Sequence, residues 1–126
     1  MKYLVLLGRL LYSAIFISAG FGHFSQQGVD YAVQRGLPMA SFLVPLAGIM
    51  IILGGFSIAL GYRGRWGAWL IVVFLVIVGP SMHRFWTYTD PVLRFYEMGM
   101  FMKDLSLLGA ALLITYFGTG PLSLKK

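Results

Sequence analysis

The chain has 126 residues, of which 59% are apolar and 11% charged, and its mean hydropathy is +0.82. A soluble domain carries about a quarter charged residues, so this composition excludes an ordinary soluble protein and indicates a membrane protein. The net charge is +6, but no nucleic-acid recognition motif accompanies it, and we expect no nucleic-acid partner. Because the chain has no cysteine, disulfides, thiol nucleophiles and cysteine-ligated clusters are excluded within it.

Four apolar segments follow one another along the chain. A helix crosses the hydrocarbon core of a bilayer in roughly 20 residues, and each segment is close to that length. The segments cover about residues 3–24, 42–62, 66–82 and 98–117. We therefore predict an all-α fold, an integral membrane four-helix bundle in contact with the lipid bilayer, formed as a single transmembrane domain over residues 1–126.

The basic residues predict the orientation of these spans. With an even number of spans, both termini lie on the same side as the turn at residues 62–66. The basic residues on that side are Lys2, Arg63, Arg65, Lys125 and Lys126. Loops rich in Lys and Arg stay in the cytoplasm, so we expect cytoplasmic N- and C-termini in a bacterial-type inner (plasma) membrane. The four acids fall on or towards the opposite side, and they are Asp30, Asp90, Glu97 and Asp104.

Small residues recur at four-residue spacing on the first helix, at Ala14, Ser18 and Gly22. Small side chains let membrane helices approach closely. We interpret this stripe as a packing face inside the bundle, with a homodimer interface as the alternative.

Three charged residues lie within the predicted spans, where charge is costly and usually functional. Arg9 lies about two turns into the first span, so it either extends to the interface or makes hydrogen bonds inside the bundle. Lys103 and Asp104 are sequence neighbours that point about 100° apart, so we expect no direct pair between them. Each needs a partner from elsewhere, and Glu97 or Asp30 is our candidate for Lys103.

Histidine and aromatic residues cluster where spans end. His23 ends the first span and His83 the third; their ordinary pKa suits proton transfer, but their spacing predicts no metal site. Residues 83–96 include Trp86 and Tyr88, which are typical of interfacial anchors. The alternative is a lid over a cavity that receives a planar ligand such as a quinone.

Several segments, in this order and spacing, resemble the corresponding parts of one known family. They are GRL at 8–10, FISAGFGHF at 16–24, YAVQRGLP at 31–38, the glycines from Gly54 to Gly61, HRFW at 83–86, FMKDLSLLG at 101–109 and GTGPLSL at 118–124. Together they cover nearly the whole chain and resemble the DoxX family. The resemblance implies a four-helix membrane fold. It also implies relatives among the DoxD-type subunits of thiosulfate–quinone oxidoreductase and among members of oxidative-stress complexes.

The chain departs from the family pattern at three positions. Ile51 stands where the family often has an acid, His23 where it commonly has a lysine, and Asp104 where it often has asparagine. If the missing acid partners the fourth-helix lysine in relatives, Asp104 is a candidate substitute here.

No catalytic motif appears in the sequence, which leaves enzymatic activity undecided. The first hypothesis is a DoxX-like membrane protein that acts as a non-enzymatic scaffold or accessory subunit of a membrane complex. The alternative is a quinone-binding subunit that partners a soluble or membrane oxidoreductase. The candidate ligand-binding residues are Arg9, His23, His83, Trp86, Tyr88, Lys103 and Asp104.

Overall fold

The computed structural model describes residues 1–126, which form five α-helices and one short 3₁₀ turn. The elements are α1 (Lys2–Gly22), α2 (Gln26–Gln34), α3 (Ala40–Leu60), α4 (Gly64–Met82), the 3₁₀ turn (Phe85–Thr87) and α5 (Pro91–Phe117). Helices α1, α3 and α5, and α4 together with the 3₁₀ turn, are long and apolar enough to cross a membrane. The predicted all-α membrane four-helix bundle is confirmed.

The four long helices run up and down, and each packs antiparallel against the next one along the chain. The termini end of the bundle contains Met1, the α3–α4 turn and the tail at residues 118–126. The loop end contains α2 and residues 83–90. Helix α2 lies across the loop end, where Ala32 packs with Ala40 and Val44 of α3 and with Met82 of α4.

Helix α5 begins at Pro91, earlier than the expected beginning of the fourth span near residue 98. The Asp90 carboxylate accepts hydrogen bonds from the backbone N–H groups of Val92 (2.8 Å) and Leu93 (3.3 Å). An aspartate cap followed by proline at the first helical position is a strong start signal. Residues 91–97 therefore form the first turns of one continuous 27-residue helix, and this places Glu97 inside the bundle.

The side of α1 that packs against the bundle differs from the predicted one. Ala14, Ser18 and Gly22 are exposed, whereas the buried stripe consists of Arg9, Ser13, Phe16 and Gly20. Both stripes have helical spacing, and the buried one contains Arg9, whose hydrogen-bonding groups require partners inside the protein. The interpretation of the first stripe as a packing face inside the bundle was wrong.

Close approach of α3 and α4 depends on glycine. A Cβ atom on Gly67 would overlap the Ser57 hydroxyl and would lie 3.0 Å from the carbonyl oxygen of Gly54. Lipid tails are as apolar as the side chains, so contact between helices in a membrane relies on such close packing. Only 27 of the 126 residues are buried, and large apolar side chains cover the outside of the bundle, as expected for a protein solvated by lipid.

We expect Gly67→Ala to destabilise the bundle by about 1–3 kcal/mol, because the added methyl group forces α3 and α4 apart. The matched control is Gly99→Ala in α5, where an added Cβ meets no atom within 4 Å. That control should be neutral or stabilising by up to about 1 kcal/mol, because alanine favours the helix. The measurement is the free energy of unfolding in mixed detergent micelles, and equal values for the two variants would contradict this account of the packing.

Candidate functional site

A buried carboxylate organises the loop end. Glu97 of α5 is only 2% exposed, and both of its oxygens are paired. Arg35, directly after α2, donates from Nη2 to Oε1 at 2.5 Å, and Nδ1 of His83, directly after α4, lies 2.7 Å from Oε2. Hydrogen bonds between charged groups are among the strongest in proteins. Glu97 thus joins α5 to the ends of α2 and α4.

His83 lies between two carboxylates. Its Nδ1 contacts Glu97, and its Nε2 lies 3.7 Å from Oδ2 of Asp104, seven residues further along α5. An ionised carboxylate only accepts hydrogen bonds, so Nδ1 carries the hydrogen shared with Glu97. The Nε2 atom can then accept a proton from the direction of Asp104. The arrangement forms a row from Asp104 through His83 to Glu97.

Arg35 closes this row at its outer side. Its guanidinium carbon lies 3.9 Å from the centre of the Tyr31 ring, and its carbonyl oxygen accepts a hydrogen bond from Nη2 of Arg84 at 2.8 Å. Burial disfavours the charge of Arg35, but the hydrogen bond to Glu97 and nearby groups outweigh this and raise its pKa above the ordinary value. Arg35 therefore stays protonated and compensates the charge of Glu97.

Lys103 contacts its own neighbour, so the expectation of no direct pair was wrong. Its Nζ atom lies 3.7 Å from Oδ1 of Asp104, because the long lysine stem bends back across the angle that separates the two Cβ atoms. The two acids proposed as its partners are engaged elsewhere. Glu97 binds Arg35 and His83, and the exposed Asp30 accepts a hydrogen bond from Gln26 at 2.9 Å.

A recess of about 210 Å³ lies between α4 and α5 beside Asp104. Its lining is apolar except for this carboxylate, and it consists of Leu75, Val76, Gly79, Pro80, Phe101, Asp104, Leu105 and Leu108. A Cβ atom on Gly79 would lie 3.9 Å from the Phe101 ring and 4.0 Å from Cβ of Asp104, so glycine leaves this space open. Val76, Pro80 and Leu105 are exposed, which shows that the recess opens to the outside of the bundle.

The two predicted aromatic residues lie on different sides of the row. Trp86 packs edge-on against Phe101, a residue of the recess, with ring centres 5.8 Å apart. Tyr88 is half-buried and lies near Arg35 and Tyr31. Burial raises the pKa of Tyr31, and Tyr88 adds to this effect while Arg35 opposes it. Trp86 is therefore associated with the recess and Tyr88 with the outer end of the row.

His23 takes no part in the row. Its Nδ1 atom lies 2.6 Å from the carbonyl oxygen of Ala19, four residues earlier in the same helix, and its ring packs edge-on against Phe74 at 6.0 Å. These contacts hold the ring at the end of α1.

Arg9 lies at the opposite end of the bundle, the termini end. The sequence left two roles open for it, extension to the interface or hydrogen bonds inside the bundle, and the structure favours the second. Its Nη1 donates to the carbonyl oxygens of Thr119 (2.9 Å) and Pro121 (2.6 Å) and to the Ser123 hydroxyl (3.3 Å). Its Nη2 donates to the carbonyl oxygens of Ala59 (3.2 Å) and Leu122 (2.9 Å). The guanidinium thus fastens the tail to the end of α3.

Sequence reasoning missed Arg35 and the role of the tail. Arg35 lies between the first two predicted spans and Glu97 lies just before the fourth, so the predicted topology placed both residues on the side opposite the termini. A carboxylate that enters a membrane span requires a cation to compensate its charge, so Arg35 could have been predicted as the partner of Glu97. No local sequence signal connects Arg9 to the tail, because the carbonyl oxygens that it binds belong to the backbone.

We expect Arg9→Lys to release the tail. A lysine ammonium has three donors on a flexible stem and cannot reproduce the planar fork that holds five acceptors. The buried carbonyl groups that lose their partners should cost about 1–3 kcal/mol of stability. Hydrogen exchange of the Leu124 and Lys125 amides, which bond to Leu60 and Gly61, reports the release. Arg94→Lys, at an exposed position of α5, is the control, and unchanged protection in both variants would contradict the role assigned to Arg9.

Comparison with known proteins agrees with this architecture. The DoxX family model matches residues 4–84, more than half of the chain. Two Escherichia coli relatives are inner membrane protein YqjF (26% identical, 97% of this chain, 89% of the relative) and inner membrane protein YphA (29% identical, 98% and 89%). The yeast ER-derived vesicles protein ERV29 is 26% identical over 62% of this chain but only 25% of its own length. No solved structure matches the chain. The chain is an integral membrane protein that belongs to the DoxX family.

Proposed function

We propose that the chain is an accessory subunit of a membrane complex that binds a lipid-soluble quinone in the recess beside Asp104. The observation that carries the proposal is a carboxylate at an apolar recess, backed by the row Asp104–His83–Glu97. Ionisable groups buried at membrane depth are costly, and they are therefore the default candidates for function. A purely structural core would use apolar residues at lower cost.

The recess suits the ring of a quinone. Its volume of about 210 Å³ is below the range of pockets for whole drug-sized ligands, so it would hold one ring while an isoprenoid tail stays in the lipid. Phe101 offers an aromatic wall, and Gly79 leaves the space that a planar ring requires. A bound quinone would supply electron transfer coupled to proton uptake or release.

The residues of the row would move the protons. Asp104 would exchange a proton with the ligand at the recess, and Nε2 of His83 would receive it after a small movement that shortens the 3.7 Å separation. The hydrogen on Nδ1 would pass to Oε2 of Glu97, 2.7 Å away. Arg35 would hold Glu97 in place at the loop end, and Lys103 would offset the charge of Asp104.

A non-enzymatic scaffold is the second candidate, and one observation favours it. Both oxygens of Glu97 are bonded to groups of the same chain, as expected where a polar network only holds helices together. In that case the row would stabilise the loop end, and the outer surface would recruit a partner.

The proposed location of the protein is supported by its charge and its relatives. Cytoplasmic termini in a bacterial inner membrane agree with the basic residues at the termini end and with the inner membrane proteins among its relatives. The electron-transferring partner would be an oxidoreductase that meets the subunit beside the recess. A homodimer is the alternative assembly.

Quinone binding can be measured by quenching of Trp86 fluorescence, because its ring packs against Phe101 of the recess. In protein that carries Trp66→Phe and Trp69→Phe, a short-chain ubiquinone should quench Trp86 saturably in lipid nanodiscs. Gly79→Val narrows the recess and should weaken binding about tenfold, on the order of the loss when a pocket is overfilled by extra methyl groups.

The control is Gly99→Val, which adds the same side chain to α5 where no atom lies within 4 Å. It should bind quinone as the parent protein does. Equal quenching in the two valine variants would show that the recess is not the site. If quinone does not quench Trp86 saturably even in the parent protein, the scaffold is the better account.

A further inference from the structure

A larger groove lies at the termini end, on the outer side of α3 and α4, and neither Glu97 nor Asp104 contributes to its lining. Its volume is about 550 Å³, and its apolar walls are formed by Leu53, Phe56, Leu60, Trp66, Leu70 and Leu124. Most of these side chains are substantially exposed, so the groove opens outward, where lipid lies. The walls are apolar along their length, which suits a hydrocarbon chain.

One cation belongs to the groove and has no anionic partner. Arg63 is part of its lining, and its guanidinium makes no hydrogen bond or ion pair; its carbon lies 6.0 Å from the centre of the Tyr62 ring. The ion pairs of the protein all lie at the loop end, where they involve Glu97 and Asp104. The termini end therefore carries positive charge that the protein does not compensate.

The backbone fixes Arg63 at this position. Its φ of 51° lies in the left-handed region, which is unfavourable for a residue with a side chain. Its N–H donates to the carbonyl oxygen of Lys125 at 2.6 Å, and its own carbonyl oxygen accepts from the Ser57 hydroxyl at 3.1 Å. These bonds hold the backbone of Arg63 in this conformation, and its side chain forms part of the groove lining.

We propose that this groove binds one anionic phospholipid of the surrounding membrane. An acyl chain would lie along Leu53, Phe56 and Leu70, and the phosphate would bind Arg63. Tyr62 and Trp66 are exposed beside it and are typical of the level at which headgroups meet hydrocarbon. Arg65, Lys125 and Lys126 are further basic residues at this end and would strengthen the preference for negative headgroups.

Native mass spectrometry of the detergent-solubilised chain, titrated with phosphatidylglycerol or with phosphatidylcholine of the same acyl chains, tests this proposal. We expect one tightly retained phosphatidylglycerol and about fivefold weaker retention of phosphatidylcholine, the factor expected for one cation near an anionic headgroup. Arg63→Gln should remove most of this preference, because it removes the cation that lines the groove. Arg94→Gln removes an exposed cation at the loop end and should leave the preference unchanged.

A second variant tests the groove itself. Leu53→Trp fills part of the groove without changing any charge, and it should weaken retention of both lipids. Glycerol phosphate, which has the headgroup chemistry but no acyl chain, should not displace the bound lipid. The proposal would be overturned if Arg63→Gln and Arg94→Gln lost the preference for phosphatidylglycerol equally. It would also be overturned if Leu53→Trp retained both lipids as the parent protein does, or if glycerol phosphate displaced the bound lipid. If Arg63→Gln does not fold, equal retention of the two lipids by the parent protein would overturn it.

Discussion

The carboxylate of Glu97 is the constraint on which the loop end depends. A charged group without solvent is tolerated only when it is paired and hydrogen-bonded. Arg35 and His83 satisfy it, and each of them begins the segment that follows a helix. Their positions therefore fix α2 across the end of the bundle and fix the end of α4 against α5.

Arg9 holds the termini end together as Glu97 holds the loop end, but its partners are uncharged oxygen atoms. Its guanidinium binds backbone carbonyl oxygens of the tail and of Ala59, so the tail is held against α1 and the end of α3. The helices are also joined by close contacts at small residues such as Gly54 and Gly67. Polar groups at both ends and close packing between helices together replace the hydrophobic effect, which gives little net attraction between helices in lipid.

The sequence was sufficient for the fold class and insufficient for the contacts. Apolar segments of membrane-spanning length predicted the four long helices, because only helices of this kind satisfy their own backbone groups in lipid. The position of Glu97 inside the bundle was missed because the cap at Asp90 moves the beginning of α5 outward by about two turns. The partner of Glu97 lies 62 residues away at Arg35, and no periodic pattern connects residues so distant.

The candidate site was predicted in part for the same reason. Asp104 was recognised as a charged residue within the fourth span and His83 as a titratable residue at the end of the third, and the structure brings the two side chains to 3.7 Å from each other. Trp86 adjoins the recess through Phe101, whereas His23 and Arg9 serve other parts of the bundle. Residue type and depth in the membrane identified the candidate residues. Which of them meet in one site depends on how each helix is rotated about its axis, and the residue spacing on α1 and α5 did not determine that rotation.

Arg35 and Glu97 act as one unit that holds the loop end. A double-mutant cycle with Arg35→Met and Glu97→Gln, measured as the free energy of unfolding in detergent micelles, tests this coupling most directly. We predict a coupling energy of about 1–3 kcal/mol, with the double variant less destabilised than the sum of the single variants. Effects that add to within about 0.5 kcal/mol would show that the two residues act independently and would contradict the account.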